Sequence, residues 1–151
     1  MTRDVPVVRR ASRLLLLNEA GQILLFRYED ERGPWWATPG GGLEDGETFE
    51  EAAAREAGEE LALSDVSLTL QWERTSEFQS RGQCIRQTER YFLVHPVESR
   101  VAMTAHVSQA HRLEGILMTR WWACAELRDS AERVFPEDLA DRLDSILLGR
   151  T

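Results

Sequence analysis

The stretch from Trp35 to Leu63 constrains the fold of this chain more than any other. Three consecutive glycines, Gly40 to Gly42, are followed by a short acidic link and then by a segment rich in alanine and glutamate. Glycine permits backbone conformations and close approaches that a Cβ atom would block. Alanine and glutamate are good helix formers. The stretch therefore predicts a tight loop that leads directly into a helix.

The residues around Thr48 indicate where this helix begins. Thr48 is followed three residues later by Glu51, which is the pattern of a capping box, so the helix is predicted from Phe49 to Leu61. Small side chains on its inner side would let it lie close to a sheet. The predicted buried face consists of Ala54, Ala57 and Leu61.

Three glutamates share one face of the predicted helix. Glu56, Glu59 and Glu60 stand at positions i, i+3 and i+4, so they fall within an arc of roughly 100°. Carboxylates at this spacing repel one another, and a divalent cation removes the conflict. Oxygen ligands without clustered cysteine or histidine favour magnesium or manganese over zinc. A glutamate-rich helix alone is more often a solvated face, and the glycine turn at a fixed distance argues for a site.

Arg55 and Glu47 are predicted to orient this acidic face. Arg55 lies four residues after Glu51 and four before Glu59, so it can bridge both carboxylates and fix the second. Glu47 stands just before the helix. It is predicted to orient the loop against Arg55 or to assist a water molecule at the site.

The rest of the chain alternates strand-like and helical patterns. A hairpin around residues 18–21, a polar loop over residues 28–34 and a long strand pair joined at residues 79–82 are predicted. The poorly patterned residues 98–119 are interpreted as a loop over the site. The predicted strands are Val8–Leu17, Gln22–Tyr28, Trp35–Thr38, Val66–Phe78, Cys84–Val97 and Arg120–Trp122, and the second helix is Pro136–Leu148. This order predicts a mixed sheet with helices packed on it, in one domain over residues 1–151.

Composition and charge exclude several classes of protein. Hydrophobic residues at 42% and charged residues at 29% are those of a globular protein. A net charge of −8 argues against a protein that grips a long nucleic acid, although a metal ion and local arginines can still hold a few phosphates. The longest apolar run, Leu14 to Leu17, is too short to cross a membrane. No apolar signal segment is visible and the two cysteines, Cys84 and Cys124, are interpreted as reduced, so a cytoplasmic location is expected.

The spacing of the glycines and the charged residues resembles the signature of the Nudix hydrolase family. That signature is G-x5-E-x7-R-E-U-x-E-E-x-G-U, where U is an aliphatic residue. The matching positions are Gly41, Glu47, Arg55, Glu56, Ala57, Glu59, Glu60 and Leu63. The one departure is Ala62, where the family has glycine, and a positive φ angle there would cost alanine about 1 kcal/mol. The upstream WWATPGG and the later RWWACAEL and VFPEDLA extend the resemblance over most of the chain.

The resemblance implies a fold and a reaction. The fold would be an α/β (α+β) Nudix fold, with a mixed β-sheet sandwiched between α-helices. Family members hydrolyse a nucleoside diphosphate linked to another moiety, using Mg²⁺ or Mn²⁺ and attack of water on phosphorus. Carried over by position, the metal ligands would be Glu56, Glu59 and Glu60 with the Gly41 carbonyl. Glu59 or Glu60 would act as the general base, with Glu114 as a further candidate.

The substrate pocket is less determined than the metal site. Arg27 and Arg90 can meet phosphate groups and Trp36 and Phe78 can stack on a base, with Glu114 as a further contact. Each aromatic side chain is also a candidate for the core, because aromatic residues dominate core burial. The expected substrate is a small nucleotide, a nucleotide sugar or a dinucleoside polyphosphate, and a homodimer is left open.

Three other functions fit the sequence less well than hydrolysis. A catalytically silent Nudix domain that binds a nucleotide as a sensor is disfavoured, because a pure binder does not need carboxylates that repel one another. Isopentenyl diphosphate isomerases have a similar fold, but their catalytic cysteine has no counterpart here, since Cys84 lies in a predicted strand. RNA decapping or RNA pyrophosphohydrolase activity is disfavoured by the net charge of −8 and by the lack of a basic extension.

Overall fold

The computed structural model describes residues 5–95 and 115–149. These residues form two compact units, and each unit contains one four-stranded sheet. The first unit consists of the described residues up to Leu14 and of Gly40–His95. The second unit consists of Leu15–Pro39 and of the described residues from Gly115 onwards. The strands are β1 (Val7–Leu15), β2 (Ile23–Asp30), β3 (Gly33–Ala37), β4 (Gly40–Gly42), β5 (Ser67–Ser80), β6 (Gln83–His95), β7 (Met118–Trp122) and β8 (Arg133–Phe135). The helices within the described ranges are α1 (Phe49–Leu61), α2 (Cys124–Asp129) and α3 (Leu139–Leu148). These elements confirm the predicted α+β class, whereas the single domain stays a prediction.

The sheet of the first unit has the strand order β4-β1-β6-β5. Its strands β5 and β6 form a long antiparallel hairpin, which confirms the predicted strand pair. The turn consists of Arg81 and Gly82, whose φ angles are 50° and 79°. Positive φ angles at both positions match the twist of the flanking strands. The turn is therefore tighter than the predicted residues 79–82.

Strand β1 and the capping box fix the start of helix α1. The Ser12 hydroxyl on β1 donates to the Phe49 carbonyl at 2.6 Å. Ser12 is fully buried, so this bond satisfies a polar group and ties the strand to the first turn of the helix. Thr48 and Glu51 each accept the other's backbone N–H through the side chain. This reciprocal pair confirms the predicted capping box.

The buried face of α1 differs from the prediction. Of the three residues expected there, Ala57 is buried, Ala54 is exposed and Leu61 is half-buried. The buried face of α1 contains two glutamates as well as alanines, because the acidic side of the helix faces inwards. Its members are Ala52, Ala53, Glu56, Ala57 and Glu60.

Ala62 ends helix α1 in the left-handed region, with φ 55° and ψ 34°. Its N–H and that of Leu63 both donate to the Ala57 carbonyl. Glycine adopts this conformation without the steric cost that a Cβ atom brings.

We therefore expect Ala62→Gly to raise the free energy of unfolding by about 1 kcal/mol, measured by urea denaturation. Ala54→Gly, at an exposed position inside the same helix, should lower it by about 1 kcal/mol, and equal effects of both changes would contradict the assignment.

The predicted hairpin of the first two strands is wrong. β1 belongs to the sheet of the first unit, and β2 belongs to that of the second. The expected tight turn is present, because the Asn18 side chain accepts the N–H groups of Ala20 and Gln22 and Gly21 has a φ angle of 77°. The pairing beyond it is limited to an isolated bridge between Leu17 and Ile23. Residues closer to the start of β1 pair with β4 instead.

The second unit contains a mixed sheet of order β7-β2-β3-β8, in which β8 runs parallel to β3 and the other pairs are antiparallel. The polar segment 28–34 is a short turn here, since β2 extends to Asp30 and β3 begins at Gly33. The sequence patterns missed α2 and β8, each of which is six residues long or shorter. The C-terminal helix is confirmed as α3 and buries Leu139 and Leu143. None of the helices in the described ranges is long and apolar enough to span a membrane.

Candidate active site

The three glycines, predicted as a tight loop, instead form the short strand β4, because they pair with β1. Gly40 brings this strand against helix α1. Its φ angle is 135°, and a Cβ atom there would lie 2.1 Å from the Ser12 carbonyl oxygen. No L-residue with a side chain fits this position without a shift of the backbone. The Gly40 N–H donates to Glu60 Oε2 at 2.9 Å. The start of β4 therefore holds one of the helix carboxylates directly.

Gly41 lies against the neighbouring carboxylate of the same helix face. A Cβ atom at Gly41 would lie 2.6 Å from Glu56 Oε1 and 3.1 Å from its carboxyl carbon. Glu56 is 7% exposed, so its carboxylate has little room to retreat. The backbone of Gly41 and the carboxylate of Glu56, both predicted metal ligands, are thus close together in the structure.

Arg55 connects the loop and the helix. Its guanidinium donates twice to the Glu47 carboxylate at 2.8 and 2.9 Å, and once to the Gly42 carbonyl at 3.0 Å. It also donates to Glu56 at 3.0 Å and to Glu59 at 3.2 Å. The predicted contacts with Glu47 and Glu59 are therefore present. The predicted bridge to Glu51 is replaced by the contact with Glu47, because the Glu51 carboxylate accepts the Thr48 N–H in the capping box.

These contacts shift the acidity of both partners. Hydrogen bonds from Arg55, and one from the Glu44 backbone N–H, lower the pKa of Glu47 from 4.5 to about 2. The same carboxylate, together with Glu56, raises the pKa of Arg55. The pair is thus fully ionised at neutral pH and fixes the acidic link against the helix.

Acid should weaken the folded state through Glu47. Its pKa is lower in the folded chain than its ordinary value of 4.5, so its stabilising contribution is complete above about pH 4.5 and is lost as the pH falls towards 2. In Glu47→Gln this dependence is absent, so the free energy of unfolding should change less steeply between pH 5 and pH 2. Urea denaturation across this range measures the slope. Glu31→Gln, in the exposed turn between β2 and β3, serves as the matched control, and a wild-type slope in Glu47→Gln would contradict the expectation.

The three helix carboxylates differ in exposure and in direction. Glu56 and Glu60 are each 7% exposed, whereas the Glu59 side chain is 54% exposed. Glu56 and Glu59 reach Arg55, and Glu60 faces the Gly40 N–H. In the part of the chain that the structure describes, no three acidic, histidine or cysteine side chains converge as a metal site. The donors nevertheless fit Mg²⁺ or Mn²⁺ in kind, since they are hard oxygen atoms, and a Cβ atom at Gly41 would fill the space beside the Glu56 carboxylate.

Two of the predicted substrate residues lie together in the second unit. Trp36 donates its indole N–H to Glu132 at 2.6 Å, and Arg27 forms an ion pair with the same carboxylate at 3.7 Å. Trp36 is 3% exposed and packs edge-to-face on Trp122 at 5.0 Å. The Arg27 guanidinium also lies over the Trp36 ring, 6.0 Å from its centroid. Arg27 remains partly exposed beside it.

The other predicted substrate residues lie apart in the first unit or outside the described ranges. Phe78 is 40% exposed near the end of β5. Arg90 lies on β6, pairs with Glu73 at 2.8 Å and stacks on Phe49 at 4.2 Å. Arg90 faces Glu73 on β5, and Glu73 and Phe78 are five residues apart along that strand, or about 16 Å. Glu114 and most of the predicted covering loop lie outside the described residues.

Sequence reasoning missed the contributions of the Ser12 hydroxyl and of the Gly40 and Gly42 backbones. Ser12 is remote in sequence, and no spacing rule connects it to Phe49. The Gly42 carbonyl accepts Arg55 and the Gly40 N–H binds Glu60. The sequence signal for these backbone contacts is three successive glycines before an acidic helix. This pattern does not show which glycine donates or accepts which hydrogen bond.

Comparison with known proteins identifies the family. A model of the NUDIX domain matches residues 7–143. The chain belongs to the NUDIX family of hydrolases. In sequence it is similar to an RNA pyrophosphohydrolase of Mannheimia succiniciproducens, 29% identical over 120 residues, which are 72% of this chain and 60% of that protein. An RNA pyrophosphohydrolase of Pseudomonas paraeruginosa is 30% identical over 120 residues, or 72% of this chain and 74% of the relative.

Solved structures show the same Nudix fold. The crystal structure of a MutT protein from Methanosarcina mazei Go1 superposes with a TM-score of 0.67, covering 97% of each chain at 17% identity. Such a likeness concerns the fold alone. The curated relative from Mannheimia extends well beyond the matched segment, since the chain spans about three fifths of its length.

Proposed function

We propose that this chain is a divalent-metal-dependent Nudix pyrophosphohydrolase that cleaves a nucleoside diphosphate linked to another moiety. The observation that carries the proposal is the arrangement around α1. Two carboxylates, Glu56 and Glu60, are buried one helical turn apart, beside the glycines of β4, whose backbone approaches them closely. Burying two like charges so near to each other is costly unless a cation is bound there. Arg55 contacts Glu56, and Glu60 accepts the Gly40 N–H.

Mg²⁺ or Mn²⁺ would be held by Glu56, Glu59 and Glu60 with the Gly41 carbonyl. When bound, such an ion neutralises charge on the diphosphate and lowers the pKa of a coordinated water. Arg55 keeps the helix and the acidic link in register through its contacts with Glu47 and Gly42. The protein itself mainly positions the substrate and stabilises developing charge.

Glu59 is the favoured proton acceptor for the attacking water. Its side chain is half exposed, whereas Glu60 is buried and already accepts the Gly40 N–H. Glu59 is held from one side by Arg55 at 3.2 Å, which orients its carboxylate. A general base must be able to reach the water and accept a proton, and we favour Glu59 over Glu60 because its carboxylate is the more exposed of the two.

A substrate screen tests the proposal. Purified protein is incubated with nucleoside triphosphates, dinucleoside polyphosphates, ADP-ribose and nucleotide sugars, in the presence of magnesium, manganese or a chelator. Released phosphate is measured after coupling to a phosphatase. We expect hydrolysis of at least one class, abolished by the chelator. Tight nucleotide binding by calorimetry with no product over hours would instead support the nucleotide sensor.

RNA with a 5′-terminal phosphate chain is a second candidate substrate. The observation in its favour is the name RNA pyrophosphohydrolase of the relatives that cover 72% of this chain. The net charge of −8 still disfavours affinity for a long RNA backbone. A short 5′-triphosphorylated oligonucleotide, which presents mainly its end, therefore belongs in the same screen.

A further inference from the structure

Ser12 contacts both parts of the candidate active site in the first unit. On one side, its hydroxyl donates to the carbonyl of Phe49, the first residue of α1, at 2.6 Å. On the other side, its backbone pairs with Gly41 of β4. Its carbonyl oxygen also lies so near Gly40 that a Cβ atom there would approach it to 2.1 Å. The helix and the glycine strand are therefore both fixed to the same residue of β1.

The Ser12 side chain stands in an apolar part of β1. Ala11, Leu14 and Leu15 on the same strand are at most 5% exposed, and Ser12 itself is fully buried. A hydroxyl loses its hydration on burial, so its hydrogen bond gives little net stability compared with an apolar group of the same shape. Stability alone therefore does not account for the hydroxyl, and the directional contact with α1 is what distinguishes serine from an apolar residue here.

Two other contacts at the start of α1 are more exposed. The hydrogen bonds of the capping box between Thr48 and Glu51 are open to solvent. The Arg90 guanidinium lies over the Phe49 ring at 4.2 Å, but the Arg90 side chain is 35% exposed. Water competes for exposed polar contacts and weakens them. The buried bond from Ser12 is therefore the most restrictive of these three contacts.

Helix geometry links this contact to the buried carboxylates. Glu56 follows Phe49 by seven residues, which is about 10 Å along the axis and within about 20° of two full turns. Phe49 and Glu56 therefore lie on the same side of α1. Ser12 meets the helix at the first of these levels, and its strand partner Gly41 meets it at the second. Contacts at both levels fix the tilt and the rotation of α1 against β4.

A small displacement of α1 matters for a divalent cation. At a radius of about 5 Å, a rotation of the helix by about 20° moves a side-chain tip by about 2 Å. This displacement is as long as a whole Mg²⁺–oxygen bond, about 2.1 Å, and Mg²⁺ tolerates little departure from octahedral geometry. The rotation of α1 therefore has to be fixed much more closely than packing of its alanines requires.

We propose that Ser12 is a positioning residue for the candidate metal site. Its hydroxyl fixes α1 at the rotation and the distance from β4 at which Glu56 and Glu60 hold the divalent cation. The inference rests on the proposed function and deepens it, by adding a residue that acts through the helix and not through contact with the metal. It predicts that loss of the hydroxyl weakens metal binding out of proportion to any loss of stability.

A matched pair of substitutions tests the hydroxyl itself. Ser12→Thr and Ser12→Val introduce side chains of the same shape, so both overpack the site to the same extent, and only threonine can donate to the Phe49 carbonyl. Mn²⁺ is titrated into the nucleotide-free protein, and the free ion is measured by electron paramagnetic resonance. Ser12→Thr should bind Mn²⁺ at least fivefold more tightly than Ser12→Val.

Ile85→Val separates positioning from stability. Ile85 is 1% exposed and lies five residues before Arg90 on β6, so its side chain points away from the sheet face on which Arg90 meets Phe49. Loss of a buried methyl group should lower the unfolding midpoint, whereas the Mn²⁺ affinity should stay within twofold of the wild type. Ser12→Ala should weaken Mn²⁺ binding at least fivefold. Circular dichroism during heating gives the midpoint of each variant.

Kinetics with a substrate from the screen described above supply a second readout. The magnesium concentration for half-maximal rate should be at least fivefold higher for Ser12→Val than for Ser12→Thr, because the helix positions the ligands of the ion. The KM values of the two variants for the nucleotide at saturating magnesium should differ by less than twofold.

Two results overturn the positioning role. They are equal Mn²⁺ affinities of Ser12→Thr and Ser12→Val, and a loss of affinity in Ile85→Val as large as that in Ser12→Ala. When the wild type binds Mn²⁺ and either result is found, the positioning role fails and the proposed function stands. A wild type that neither binds Mn²⁺ nor hydrolyses any substrate overturns both. Should Ser12→Thr and Ser12→Val fail to fold, the comparison of Ser12→Ala with Ile85→Val decides.

Discussion

Glu59→Gln should lower turnover by about 10²- to 10⁴-fold, the range that a positioned general base contributes. Glutamine keeps the size of the side chain and can still accept from Arg55, whose contact with Glu59 is 3.2 Å. It cannot take a proton from water. Because the Glu59 side chain is 54% exposed, its replacement leaves the packing of α1 intact, so the unfolding midpoint should stay close to that of the wild type.

Two further variants make this result specific. Glu50→Gln removes the same charge from an exposed position in the first turn of α1 and should keep wild-type turnover. Glu60→Gln should also lower turnover by orders of magnitude, while its amide oxygen can still accept the Gly40 N–H. If Glu59→Gln and Glu60→Gln both retain the wild-type rate with magnesium, the assignment of the site is wrong.

Gly40→Ala should lower the free energy of unfolding by about 3 kcal/mol, through a strained backbone and an overpacked contact. The φ angle of 135° is one that residues with a side chain rarely adopt. The new methyl group would also meet the Ser12 carbonyl oxygen at 2.1 Å, and a backbone atom of a paired strand cannot move aside easily. Thermal and urea denaturation measure the loss.

Gly46→Ala separates the two causes. Gly46 also has a positive φ angle, 82°, but a Cβ atom there meets nothing within 4 Å. Its replacement should therefore cost only the backbone strain, about 1 kcal/mol. Equal losses for both variants would show that the close approach of Gly40 to β1 contributes nothing to stability.

The local features of the site were predictable from sequence because they depend on residues near one another in the chain. The capping box of Thr48 and Glu51 and the Arg55–Glu59 contact follow from helical spacing alone. The prediction that Arg55 bridges Glu51 is wrong because each of the two side chains has another partner. The capping box engages Glu51, and Glu47 offers Arg55 a two-point contact.

Features that depend on tertiary pairing were predicted less well. The turn at Asn18 was recognised, yet the strands on its two sides belong to different sheets. The inner face of α1 was assigned by hydrophobicity, and the structure buries Glu56 and Glu60 there instead of Ala54. Hydrophobic patterns assume that a helix hides its apolar side, and a helix that binds an ion or a ligand departs from this rule.

The guanidinium of Arg55 acts as an internal counter-ion for the acidic side chains of the site. It neutralises part of the charge of Glu47, Glu56 and Glu59 while anchoring the Gly42 carbonyl. The loop and the helix are thereby fixed to each other by the protein's own contacts. A divalent ion bound as proposed above would meet carboxylates that are already oriented, and its affinity would be set by a competition with an internal cation as much as by attraction to the ligands.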